Sequence, residues 1–263
     1  AVFAGEELSI ELFVCNDTHT VSDGHTLVLE LMDSTGNVVM GGEYDAKFGE
    51  NSSFMQGDVC FTAPDVTARE SYTLRAILTD GTGKVLHYTD ESVEIFPHMA
   101  EEPGTAVSVS GEAFLARQEE LTSVAASGKT IVINGLEPGT YDIAGTEVKV
   151  KACGMRALHF VSRKTGHPLV EGFTPYDFRL WYDTEKDRIT PLLRRTFTAD
   201  GMTPILTSGN SLTASAWGQK LYPAFACAEM KCGNGKIILN EVDLDSHLAN
   251  PVARIFKNRL MRY

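Results

Sequence analysis

"MKCGNGKIILNEVDL", residues 230–244, admits three readings, and the choice among them decides the architecture of the chain's second half. Gly233-Asn234-Gly235-Lys236 contains part of a phosphate loop. Asn240-Glu241 places a carboxylate beside an amide, a pairing that acid–base chemistry can use. Or the whole stretch is two strands and a turn. A phosphate loop needs G-x-x-x-x-G-K-[ST], because its backbone N–H groups wrap the phosphate and the hydroxyl holds magnesium. Here Lys236 is followed by Ile237 and an apolar strand pattern, so the helix N-terminus that completes an anion site is missing. A hairpin fits: "AFACAEMK" runs one way, Gly233-Asn234-Gly235 turns, and "KIILNEVDL" returns.

Working back from this hairpin, residues 111–134 change period twice. "GEAFLARQEELTSVAASGK" puts Phe114, Leu121 and Val124/Ala125 on one helical face, with Gly128 at the C-terminal cap position. "TIVIN" follows as a short buried strand. Helix, glycine, then a β-branched run is the joint of a layered α/β domain. "DFRLWYD" and "TPILTSG" read as further strands. A terminal helix begins at Asn250-Pro251, with Val252, Ile255, Phe256 and Leu260 as its apolar stripe.

The first hundred residues read differently. Leu8, Ile10, Leu12 and Val14 alternate, as do Leu27, Leu29 and Leu31, then Val59 and Phe61, then Tyr72, Leu74, Ala76 and Leu78, then Val93 and Ile95. Asn16-Asp17, Asp33-Ser34-Thr35-Gly36-Asn37 and Asp80-Gly81-Thr82-Gly83 supply the turns. Roughly seven short strands suit an immunoglobulin-like or fibronectin-like β-sandwich. "FPHMAEEPGTA", residues 96–106, is the expected linker. The expectation is therefore two domains, an all-β immunoglobulin-like sandwich over residues 1–97 and an α/β three-layer domain over 104–263.

Bulk properties narrow the partners. With 263 residues, 43% hydrophobic and 22% charged, each half is large enough to bury its own core. A formal net charge of −12 argues against nucleic acid or an anionic membrane surface, which would repel the chain. No apolar run reaches the roughly 18 to 20 residues of a membrane span. Cys15, Cys60, Cys153, Cys227 and Cys232 lack CxxC spacing and read as mostly buried thiols. The chain begins in strand pattern without an initiator Met, as if cut from a longer protein, so compartment stays open. No metal or cofactor constellation emerges, since His19 and His25 near Asp17 and Asp23 fit a solvated turn.

The residue types suit three chemistries. Retaining glycoside hydrolysis needs two carboxyls about 5 Å apart on a rigid scaffold. Its usual (β/α)₈ barrel would consume about 250 residues, so Glu241 reads as a strand residue. A Cys–His hydrolase would use Cys153 with His159 or His167, yet "VKVKACGMRALHFVS" shows no convincing helix after the cysteine. Carbohydrate contact would draw on Trp181, Tyr182 and Asp183 in "RLWYDTEKD" and on Trp217 in "SAWGQ", because rings stack on sugar faces and carboxylates bind hydroxyls. Trp181 and Tyr182, consecutive on a strand, would face opposite ways.

"ACGMRALHFVSRKTGHPLVEGFTPYDFRLWYD", "TPILTSGN", "AEMKCGNGKIILNEVDLDS" and "NPVARIFKNRL" are similar to the C-terminal region of glycoside hydrolase family 2 enzymes, the β-galactosidase-like group. "FAGEELSIELFVCND" resembles the sandwich that follows the catalytic barrel in them. The second half also looks like a flavodoxin-like or amidotransferase-like fold, without a matching nucleophile elbow. The resemblance implies that the catalytic glutamates lie in a barrel upstream of these residues. It implies a non-catalytic accessory region partnered by that missing barrel and by carbohydrate. The alternative, resting on Trp181 or Trp217, is a pair of carbohydrate-binding modules.

Overall fold

The computed structural model describes residues 1–19, 24–100, 103–153, 159, 161–210 and 222–263. The chain divides into two compact units, Ala1–Ala100 and Glu101–Tyr263.

Unit 1 is all β. Its strands are β1 (Val2–Phe3), β2 (Glu7–Asn16), β3 (Thr26–Met32), β4 (Val38–Asp45), β5 (Ser52–Thr62), β6 (Glu70–Thr79) and β7 (Val85–Phe96). One sheet runs β1-β7-β6-β3-β4, and β2 pairs with β5 in a second. Alternation explains the packing. Leu8, Ile10 and Leu12 of β2 and Val59 and Phe61 of β5 meet Leu27, Leu29, Leu31, Leu74, Val93 and Ile95 in one core, which makes the unit a β-sandwich. The opposite parity faces out and carries Phe13, Cys15 and Cys60. Two of the five thiols are thus exposed, against the expectation of mostly buried ones. His25 is buried against Phe48, with ring centroids 4.6 Å apart, instead of lying in a solvated turn.

Unit 2 contains β8 (Val107–Ser110), α1 (Gly111–Ala116), α2 (Gln118–Ala126), β9 (Thr130–Asn134), β10 (Gly139–Ile143), β11 (Thr146–Ala152), β12 (Tyr182–Asp183), β13 (Arg188–Ile189), β14 (Arg195–Ala199), β15 (Thr203–Asn210), β16 (Tyr222–Cys232), β17 (Gly235–Asn240) and α3 (Pro251–Arg262). An eight-stranded sheet runs β10-β11-β14-β16-β17-β9-β8, with β15 also on β16. Among the described residues of this sheet, only β8–β9 and β9–β17 pair in parallel.

The expected three-layer α/β domain, flavodoxin-like or amidotransferase-like, is not supported. A doubly wound sheet needs a crossover helix between each pair of parallel strands. Here one crossover, β8 through α1 and α2 to β9, is followed by antiparallel hairpins, and the protein is 49% strand against 14% helix. The single helix expected over residues 111–127 is two, broken at Arg117 (φ −130°, ψ 29°), whose side chain pairs with Glu120 at 2.6 Å. The expected "DFRLWYD" strand shrinks to Tyr182–Asp183, because Leu180 sits at φ +48° and ends any extended run before it.

The 230–244 stretch folds as the hairpin β16–β17, with Cys232 opposite Gly235. Its glycines are dictated by the end of α2 and the residues just after it, whose carbonyls receive the turn. Asn234 N donates to Ala126 O (3.0 Å) and Lys236 N to Lys129 O (3.2 Å). Gly233 adopts φ +57°, and a Cβ there would come within 2.6 Å of Ala126 O. Ile237 and Leu239 join Ile131, Ile133, Phe114, Leu121 and Ala125 in the main core. The terminal helix begins as its sequence dictates, with Asn250 Oδ1 accepting from Val252 N at 2.9 Å.

Candidate functional site

A well-formed hollow of unit 2 lies beside the carboxyl ends of β9 and β17. Such ends are where strand order leaves a crevice. The cavity is ≈260 Å³ and takes lining from Ser108 of β8, Asn134 of β9, Asn240 at the end of β17 and Glu241 after it, Arg194 and Arg195 where β14 begins, and Lys257 of α3. Side-chain hydrogen bonds link Ser108, Asn134 and Asn240 across the three strands: Asn240 Nδ2 donates to Asn134 Oδ1 (2.9 Å), and Asn134 Nδ2 to Ser108 Oγ (2.9 Å).

Glu241 is the buried acid here. Its Oε1 accepts from Leu136 N at 2.8 Å, and its Oε2 lies 4.0 Å from an Arg195 guanidinium nitrogen. Burial pushes its carboxyl up to about 7, against the pull of the Leu136 N–H and the Arg195 charge, with the Glu137 charge adding to the rise. Arg195 is shared, since it also pairs with the carboxylate of exposed Glu137. The acid acting on Glu241 is therefore a solvent-facing carboxylate already bound to arginine. A glycosidase pair would instead hold two carboxyls across an open site.

Cys153 follows β11 and is partly buried. Burial, then the Glu241 charge, raises its thiol to about 12, despite a hydrogen bond with Thr196. Neither histidine acts on it. His167 Nδ1 accepts from Leu169 N (3.2 Å), its Nε2 lies 3.4 Å from Glu229 Oε1, and its ring meets Tyr263 edge-on at 5.4 Å. A nucleophilic thiolate needs a depressed pKa beside a base. The structure provides neither, so it does not assemble the Cys–His pair.

The residues expected to contact carbohydrate are scattered in role. Trp181 is 1% exposed and packs with Phe178 and His247 at ring-centroid distances of 5.9 and 5.3 Å. Its indole N–H donates to Asp177 O. Tyr182 faces outward, 47% exposed, with its hydroxyl bonded to Asp187. Asp183 is buried and accepts from the backbone N–H groups of Glu185 and Lys186, both at 3.1 Å, as well as from the Lys186 ammonium. That ammonium, more than the backbone bonds, holds its carboxyl below the usual range. Trp217 lies outside the described residues.

Two features were missed from the sequence. His247 is buried between Thr190 Oγ1 (2.8 Å from Nε2) and Asp243 O (2.7 Å from Nδ1), and so links β13 to the turn before α3. Arg188, Arg194 and Arg195 converge on the cavities of this unit. Their signal was available: three arginines within "DRITPLLRRTF" in a chain of net charge −12.

No family model matches the chain, and no curated protein matches it. Among solved structures it is similar to parts of a β-galactosidase from Rahnella sp. R3 at 15% identity and TM-score 0.33, covering 60% of this chain and 22% of that one. A β-glucuronidase from Parabacteroides merdae matches at 10% identity and TM-score 0.25, over 48% and 19%. One from Bifidobacterium dentium matches at 12% and 0.23, over 52% and 27%. All three are glycoside hydrolases, and the chain spans less than a third of each. Overlaps of this extent and TM-score fix neither a fold nor an activity. Among the described residues no helix is long and apolar enough to cross a membrane.

Proposed function

We propose that the chain is a non-catalytic accessory region of a family 2 glycoside hydrolase, an immunoglobulin-like sandwich followed by a β-rich unit. It packs on or shapes a catalytic barrel that is not among these 263 residues. Support comes from the motif run through "HPLVEGF" and the Gly-x-Gly-Lys hairpin. The observation that carries the non-catalytic reading is the engagement of Glu241. Its carboxyl is buried on the Leu136 N–H and beside Arg195, and serves the fold of the β9–β17 ends. Any carbohydrate contact in the "RLWYD" segment falls to the outward ring of Tyr182, since Trp181 and Asp183 are packed inside.

Purified chain assayed against a panel of aryl glycosides is expected to show no turnover. Turnover that disappears in a folded Glu241→Gln variant overturns the reading.

A further inference from the structure

A second cavity of unit 2, ≈240 Å³, is lined by His159, Lys186, Arg188, Thr190, Arg194 and Asp243, together with Ile189, Pro191 and Ser246. Three cations and one carboxylate on one hollow run against the charge of the chain. Their partners leave two of the cations unmatched. Lys186 is held by Asp183, and Asp243 accepts from Ser246 N at 3.3 Å. The guanidinium groups of Arg188 and Arg194 have no hydrogen bond or ion pair among the described residues. The Nδ1 atom of His159, on the same wall, is buried without a hydrogen-bond partner. Buried polar atoms left unpaired in a folded protein call for an explanation, and a bound group is one.

From this arrangement we propose that the cavity is a site for a small oxyanion, a phosphate or the carboxylate of an acidic sugar. Guanidinium groups bind such anions through paired N–H donors, and two of them converge here uncommitted. The Thr190 hydroxyl is already bonded to His247, so the ring nitrogen of His159 and the Ser246 hydroxyl complete the polar lining. Arg194 and Asp243 also line the neighbouring Glu241 cavity. The anion would therefore sit beside the buried acid without touching the hydrogen bond that holds it. The volume exceeds that of a single anion and leaves room for an attached ring, at about 30 Å³ per displaced water. This site is independent of the accessory reading, since neither arginine takes part in the observations behind it.

The test titrates inorganic phosphate and, separately, glucuronate into the full chain by calorimetry at constant low ionic strength. Saturable binding is expected with at least one of them. In a Arg188→Gln/Arg194→Gln variant it should weaken about tenfold or more, the loss of a charged hydrogen-bonding partner. Lys149→Gln removes an exposed cation elsewhere on the unit, 52% exposed and paired with Glu147, and should leave affinity unchanged. Tighter binding of phosphate identifies a free oxyanion as the ligand, and tighter binding of glucuronate an acidic sugar. Both arginines are exposed, so the variants retain the fold, which circular dichroism verifies. Absence of saturable heat with both anions overturns the proposal, as does an equal loss in Lys149→Gln.

Discussion

Replacing Glu241 by Gln isolates one buried titration. The carboxyl is displaced from 4.5 to about 7 in the folded chain, so the folded state holds its proton more tightly than the unfolded state does. Stability then falls as pH rises wherever the native state binds more protons. The contribution is fully present below about 4.5, and is lost progressively as pH rises through about 7. A displacement of this size corresponds to about 3 kcal/mol, and the side chain is 2% exposed, so solvent screening does little to reduce it. Gln keeps an oxygen for the Leu136 N–H and carries no charge to desolvate. At pH 8.5 the variant should be more stable than the parent by up to about 3 kcal/mol, because the displacement to about 7 already includes the favourable pull of Arg195 and of the Leu136 N–H. At pH 4.5 the two should be close. Urea unfolding followed by tryptophan fluorescence reads unit 2 alone, because both tryptophans, Trp181 and Trp217, belong to it. A stability gap that stays constant across this range, or widens toward acid, refutes the reasoning.

Two further outcomes follow from packing. Gly235→Ala would drive a methyl against the Lys129 and Ala125 carbonyls, with Gly128 C at 2.8 Å, and should cost unit 2 at least about 2 kcal/mol in the same urea assay; a neutral result refutes the close approach of hairpin and helix. Iodoacetamide at pH 8 should label exposed Cys15 and Cys60 well before Cys153, whose thiol is pushed up to about 12, as peptide mass mapping would show; fastest labelling at Cys153 would contradict that environment.

Hydrophobic period was legible wherever a segment buries one regular face. Alternation in β2 and β3 marked the inward side of the sandwich, and Asn250-Pro251 marked the start of α3, because capping is settled within a few residues. The Gly233-Asn234-Gly235 turn was legible for the same local reason. The α/β expectation for unit 2 fails because its one helix-then-strand joint is not repeated along the sheet. Neighbouring alternation in "TEVKVKA" already suits a hairpin strand, and β11 pairs antiparallel on both sides. The "DFRLWYD" segment was misread because an aromatic-rich run looks extended. Phe178 and Trp181 are in fact packed with Phe256 of α3 and His247, which lie far along the chain.

The sites divide along the same line. Residue types alone singled out Glu241, Cys153 and the tryptophans as chemically able, since a carboxylate, a thiol or an indole carries its capacity wherever it sits. Whether that capacity is spent on the fold depends on neighbours from other segments: Leu136 and Arg195 for Glu241, Phe178 and His247 for Trp181. The uncommitted arginines are the converse case. Arg188 and Arg194 stand out in sequence only as members of an arginine-rich run, and become one charged wall when β13 and the residue before β14 border one hollow. Local pattern thus determined strands, turns and caps, which answer to interactions a few residues long. Burial, desolvation and charge pairing were decided by tertiary contacts, because their energies depend on what chain-distant atoms exclude water from each group.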